Sequence, residues 1–148
     1  MKGSYCLIFR LTESTEVETK GGKRFTLEAG IYCYAGSAFG PGGVEARVSR
    51  HLRREKKLKW HIDFVTTLRC FEPEAVAVLE GKRAECLIAG ELSKLGKPVK
   101  GFGSTDCKCP SHLIKLESPQ SAYRLLEKLG AKIHKTFSRR GDGSKRNP

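Results

Sequence analysis

Gly30-Ile31-Tyr32-Cys33-Tyr34-Ala35-Gly36-Ser37-Ala38, followed by Phe39-Gly40-Pro41-Gly42-Gly43, is the stretch that decides the fold. Residues 30–35 are rich in β-branched and aromatic side chains and are closed by Gly36-Ser37, which reads as a strand. The glycine-proline run is a loop by composition. Beyond it Val44, Val48 and Leu52 recur every four residues, the spacing of one helix face. At about 100° per residue, Arg47, His51 and Arg54 fall in an arc of roughly 60° beside that apolar stripe. Three hydrogen-bond donors are therefore expected on one strip of helix surface.

Upstream of this stretch, Tyr5-Cys6-Leu7-Ile8-Phe9 opens a strand over residues 5–11, and residues 13–23 are polar with a Gly21-Gly22 turn. A strand returns through Phe25 and Leu27, so two or three antiparallel strands begin the chain. Downstream, residues 60–68 alternate loosely, with His61 and Asp63 on one side and Trp60, Ile62 and Phe64 on the other, a pattern that also admits a helix. Residues 74–79 read as a strand. Residues 82–95 read as a helix with Ile88, Leu92 and Leu95 on one face and Gly96 as a left-handed cap. Glu85 lies one turn before Ile88, so its carboxylate is expected to lean toward the protein body. Residues 101–111 form a loop, 112–117 a short strand, and Ser118-Pro119 the N-cap and first position of a helix ending at Leu129. The expected fold is α/β, more strictly α+β: a small, mostly antiparallel central sheet flanked by helices. One domain spans residues 1–137, and a basic tail of Gly, Ser, Arg and Lys over 138–148 is expected to be a mobile arm.

The composition suits a folded domain, because 39% of the 148 residues are hydrophobic and 30% charged, enough apolar material for one core. No apolar run approaches the ~20 residues of a membrane span, and the apolar stretch at the start is too short for a signal peptide. The expectation is a cytoplasmic protein without a membrane partner. Most of the six cysteines sit among apolar neighbours, as buried reduced thiols do. The 28 Lys+Arg residues against 16 Asp+Glu give a net charge of +12, which a polyanion would neutralise. That excess is localised. Residues 47–59 hold Arg47, Arg50, Arg53, Arg54, Lys56, Lys57 and Lys59 against Glu55 alone, and residues 132–146 hold six more cations against Asp142. Nucleic acid is the expected partner, with Arg50, Arg53, Arg54, Lys56, Lys57 and Lys59 as phosphate contacts that confer affinity without reading sequence.

Two tripeptides carry the chemistry. Gly3-Ser4-Tyr5 on the first strand and Tyr34-Ala35-Gly36 on a later one, then Ser37-Ala38 and a helix with Arg47-Val48-Ser49-Arg50-His51, resemble the GIY-YIG nuclease family. Gly30-Ile31-Tyr32 abuts the second tripeptide and cannot occupy a neighbouring strand, so the first tripeptide is Gly3-Ser4-Tyr5. The resemblance runs from Gly3 to about Leu95, roughly two thirds of the chain. Trp60-His61-Ile62-Asp63 and the segment from Ser104 to Leu113 look like a branch of that superfamily also found joined to endonuclease III-type glycosylases.

The resemblance implies a metal-dependent endonuclease that hydrolyses phosphodiester bonds, with DNA favoured over RNA. It places one Mg²⁺ or Mn²⁺ on Glu85 and assigns to a motif tyrosine, Tyr5, the proton of the attacking water, supported by Tyr34. Physical chemistry adds that Arg47 can hold a phosphate oxygen through its planar fork. His51, one turn further, is a second donor or a proton acceptor. The alternative is a nucleic-acid-binding module of the same fold without catalysis. A separate set, Cys107, Cys109 and His112 with Cys86 or His61, supplies soft ligands for Zn²⁺. Its two-residue Cys spacing is not a usual zinc pair, so the reading favours a metal-free loop held by hydrogen bonds from Ser104 and Asp106.

Overall fold

The computed structural model describes residues 1–104 and 107–135. Asp106 and the basic tail over 138–148 lie outside the described residues. Twelve elements follow in order: β1 (Gly3–Leu11), β2 (Thr15–Glu18), β3 (Arg24–Leu27), β4 (Gly30–Ala38), α1 (Gly43–Leu52), α2 (Asp63–Thr66), β5 (Phe71–Glu80), α3 (Glu85–Ser93), β6 (Lys97–Pro98), β7 (Leu113–Leu116), α4 (Pro119–Lys128) and β8 (Lys132–Lys135). Six strands form one antiparallel sheet in the order β6-β7-β4-β1-β5-β8, and β2 and β3 form a small separate sheet. The fold is α+β. Among the described residues no helix is long and apolar enough to cross a membrane.

β1 is nearly continuous in hydrophobic character because it is central and covered on both faces. On one face Cys6, Ile8, Ile31, Cys33 and Ala35 pack with Ile88, Ala89 and Leu92 of α3 and with Ala122 and Leu126 of α4. On the other, Leu7, Phe9 and Tyr32 pack with Val17 and Phe25 of the small sheet and with Ile62 and Val65, while Tyr5 packs with Val44 of α1. The pleat thus assigns Tyr5, Tyr34 and Gly36 to the α1 side and Cys6 and Ala35 to the α3 side. In the β1–β4 register Gly3 faces Ala38, Ser4 faces Ser37 and Tyr5 faces Gly36, so the two tripeptides meet across adjacent strands.

Several boundaries differ from the sequence reading. α1 stops at Leu52 and Arg53 is extended, which takes Arg54 off the helical strip shared by Arg47 and His51. Residues 60–68 contain the short helix α2 instead of a strand, because the Asp63 carboxylate accepts the N–H groups of Lys59 and Trp60 and winds the chain into a turn. α3 begins only at Glu85. Gly96 is not a left-handed cap; a Cβ there would run into the Lys115 carbonyl and the Leu116 side chain, so the requirement is a close approach to β7. Strands β2, β6 and β8 were not expected from the sequence. Half of the cysteines, Cys6, Cys33 and Cys70, are buried, whereas Cys86 is exposed and Cys107 and Cys109 are partly so.

A candidate active site at the end of the central strands

β7 pairs with β4 only over Ile31–Tyr34, and the Ala35 N–H takes the His112 carbonyl at 2.9 Å. The Gly36–Ala38 end of β4 runs on past β7, and a cleft of about 410 Å³ opens beside it. It is lined by Tyr5, Tyr34, Ser37, Arg47, His51 and Glu85, together with Lys59, Trp60, His61 and His112. All five expected catalytic residues, Tyr5, Tyr34, Arg47, His51 and Glu85, therefore share one cavity.

Glu85 is placed by Ser4. That serine is fully buried in β1, and its hydroxyl donates to the Lys82 carbonyl and accepts the Ala84 N–H, each at 2.7 Å, fixing the residues that lead into α3. Glu85 then occupies the first position of the helix, where the dipole favours a carboxylate. Its Oε1 accepts a hydrogen bond from Ser37 Oγ at 3.2 Å, and its Oε2 lies 3.7 Å from His112 Nδ1. About 36% of the side chain stays exposed at the cleft.

Arg47 donates to the Ser37 carbonyl at 3.1 Å, and its guanidinium lies 4.4 Å from the Trp60 ring centroid. This cation–π contact holds the planar fork at the cleft wall. The Tyr5 hydroxyl is 2.7 Å from His51 Nε2, and both residues are only 1% exposed. Burial pushes the Tyr5 phenol well up, reinforced by Tyr34 and opposed by Arg47. Tyr34 is raised by burial and by Glu85. His51 is driven down to about 3, by burial first and by the Lys56 ammonium next, so its ring is neutral at ordinary pH. His51 Nδ1 is buried without a hydrogen-bond partner among the described residues.

The expected phosphate-binding row divides. Arg50 makes two hydrogen bonds to the fully buried Asp63, at 2.7 and 2.9 Å, and donates to the Lys57 carbonyl. Burial alone would raise the Asp63 carboxyl, but Arg50 and the Trp60 and Lys59 N–H groups outweigh it and hold it below the usual range. Lys56 donates to the Arg50 and His51 carbonyls at the end of α1 and to Thr66 Oγ1. Arg53, Arg54, Lys57 and Lys59 are exposed.

Sequence reasoning gave no role to Ser4, Ser37, Trp60 or Asp63. Trp60 and Asp63 stood within a quoted motif, and Ser37 within another, but their contacts depend on the path of the chain between strands. Cys86, Cys107, Cys109 and His112 come together, their ligand atoms all within 4.8 Å of one another, and can hold a metal ion. His61 is not in that group; its Nδ1 accepts the Gly103 N–H at 3.0 Å and its ring packs on Phe25 and Phe102. Ser104 does brace the loop, through its carbonyl to Cys107 N–H and its hydroxyl to the Pro110 carbonyl. A family model described as "Domain of unknown function DUF123" matches residues 4–135. No curated protein and no solved structure matches the chain.

Proposed function

The chain belongs to the DUF123 domain family, and we propose that its cleft is a GIY-YIG-type nuclease site that hydrolyses nucleic-acid phosphodiester bonds, those of DNA above all. The observation that carries this reading is the convergence of two phenols, a guanidinium, an imidazole and one helix-borne carboxylate in a single polar cleft. Phosphodiester hydrolysis asks for such a set: a grip on the phosphate, a path for the water's proton, and cationic stabilisation of developing charge.

Glu85 is the residue that would hold a divalent metal. A lone, partly exposed carboxylate in a cleft suits Mg²⁺ or Mn²⁺, because such ions keep several waters and take one or two protein oxygens. When bound, the ion would stabilise charge on the scissile phosphate and on the leaving oxygen. Arg47, steadied by the Ser37 carbonyl and Trp60, keeps further guanidinium N–H groups for a phosphate oxygen.

Tyr5 and His51 act as a pair. With no partner on Nδ1, the His51 ring is not locked into one tautomer, so Nε2 can accept the phenolic proton as Tyr5 takes one from water. Burial disfavours the His51 imidazolium first, and Lys56, then Arg47 and Arg50, add to it against the opposing Asp63 carboxylate. A phosphate anion gripped by Arg47 offsets those cations, so substrate itself raises the pair's capacity to accept a proton. Arg53, Arg54, Lys57 and Lys59 would then meet neighbouring phosphates.

Tyr5→Phe keeps the ring and removes the hydroxyl. It is expected to lower cleavage of labelled DNA in Mg²⁺ by about 10² or more with DNA affinity unchanged; cleavage equal to wild type would remove Tyr5 from the chemistry. One observation favours the binding-module alternative: burial drives the Tyr5 and Tyr34 phenols well up and the His51 imidazole down to about 3, so none of these three titrates near neutral pH. Under that alternative, wild type binds every nucleic acid tested and cuts none.

A further inference from the structure

Beside the cleft, on its α3 side, stands a second group of side chains that the proposed hydrolysis does not use. Cys86 lies in the first turn of α3, Cys107 and Cys109 in the loop between β6 and β7, and His112 immediately before β7. All three thiols are free, and all are at least partly exposed, unlike the buried Cys6, Cys33 and Cys70. We propose that Cys86, Cys107, Cys109 and His112 form a tetrahedral Zn²⁺ site that clamps the loop between β6 and β7 to the start of α3.

The spacing of the donor atoms argues for it. Zn–S bonds of about 2.3 Å in a tetrahedron place neighbouring sulfurs about 3.8 Å apart, with a sulfur–nitrogen edge slightly shorter. His112 Nε2 is 3.8 Å from the Cys86 Sγ and 3.3 Å from the Cys107 Sγ, and all four donor atoms fall within 4.8 Å of one another. The single Nε2 lone pair accepts one donor yet here meets two sulfurs, and the three thiols lie within hydrogen-bond reach of one another as well. A cation between them satisfies every donor at once. Three sulfurs and one imidazole nitrogen select a soft metal, and Cys₃His is a recurrent structural zinc set.

The surroundings are those of a fixed ligand. The His112 N–H donates to the Phe102 carbonyl at 2.8 Å and its carbonyl accepts the Ala35 N–H at 2.9 Å, so its backbone is locked to the sheet edge. Its Nδ1 faces the Glu85 carboxylate at 3.7 Å. A carboxylate on the far nitrogen is the usual outer partner of a zinc-bound imidazole, because it fixes the tautomer that presents Nε2 to the metal. Cys107 and Cys109 stand two residues apart in the chain, yet both their sulfurs fall within the 4.8 Å group completed by Cys86 and His112. The inference stands on this donor geometry alone, whether or not the cleft hydrolyses phosphodiesters.

The test uses the full reduced chain, loaded with Zn²⁺ and dialysed free of excess. One equivalent of zinc is expected to remain bound, and Co²⁺ in its place is expected to give the intense visible bands of a tetrahedral thiolate site. The double variant Cys107→Ser/Cys109→Ser should lose the whole equivalent. Wild type alone provides a readout that does not depend on that variant folding: a thiol reagent should find three cysteines protected in the zinc-loaded protein and released by a chelator. The proposal is overturned if no zinc is retained, if the same thiols react equally with and without chelator, or if they react only after a reductant has opened a disulfide.

Discussion

Arg50 and Arg53 are three residues apart in one basic run, yet they have different work. Arg50 neutralises the buried Asp63, and removing it leaves a carboxylate stranded in the interior. Arg50→Ala is expected to destabilise the fold by about 3 kcal/mol, read by urea unfolding, whereas Arg53→Ala should leave the midpoint in place; equal midpoints for the two variants would show that the Asp63 pair is dispensable. His51 makes a second prediction at this scale. Its folded value of about 3 lies below the ordinary 6.5 of the unfolded chain, so the unfolded state binds the proton first. The contribution is complete above pH 6.5 and is lost as the pH falls toward 3, roughly 3 kcal/mol of it by pH 4.5. His51→Gln should lose less stability than wild type between pH 7 and pH 4.5; parallel losses would show that His51 accepts a proton freely in the fold.

At the scale of elements, the pairing of β1 with β4 brings the tripeptides together, and Gly36 is where their fit is tightest. A Cβ at Gly36 would sit 2.5 Å from the Tyr5 hydroxyl oxygen. Gly36→Ala must therefore push the Tyr5 ring off His51, at a cost of about 1–3 kcal/mol in stability and with loss of cleavage. Full activity in a variant of unchanged stability would show that the ring has slack. That the two tripeptides lie on neighbouring strands was implied by the resemblance, but the register that sets Tyr5 opposite Gly36 was not legible, because β1 is buried on both faces and its residues do not alternate. α1 was legible from Val44, Val48 and Leu52, of which Val44 and Leu52 are buried and Val48 packs beside them. β8 was not, because Lys132-Ile133-His134-Lys135 is a polar edge strand whose basic side chains read as the start of a tail. β2 was hidden for a related reason: only Val17 of its four residues is buried. The start of α3 was misjudged by three residues because its cap is supplied from β1, by the Ser4 hydroxyl, and no local pattern reports a partner eighty residues away.

Over the whole molecule the candidate site is assembled from parts that are far apart in sequence and share one end of one sheet. Tyr5 comes from β1, Tyr34 and Ser37 from β4, Arg47 and His51 from α1, and Glu85 from α3. The net charge of +12 would favour long-range attraction to a polyanion, but the basic run is not uniform: Arg50 and Lys56 bind Asp63 and Thr66 within the fold, and Arg53, Arg54, Lys57 and Lys59 are exposed. Which cations would be spent internally was not legible, because Asp63, Thr66 and the end of α1 are brought together only by the turn at residues 53–62. The central claim is that this assembly cuts nucleic acid through Glu85. The most direct measurement is cleavage and binding of labelled DNA and RNA structures by wild type and Glu85→Gln, with Mg²⁺, Mn²⁺ or EDTA. Metal-dependent cleavage by wild type, with binding but no cleavage by Glu85→Gln, is the predicted result; cleavage of the same substrates by Glu85→Gln at the wild-type rate, or binding without cleavage by wild type on every substrate, would contradict it.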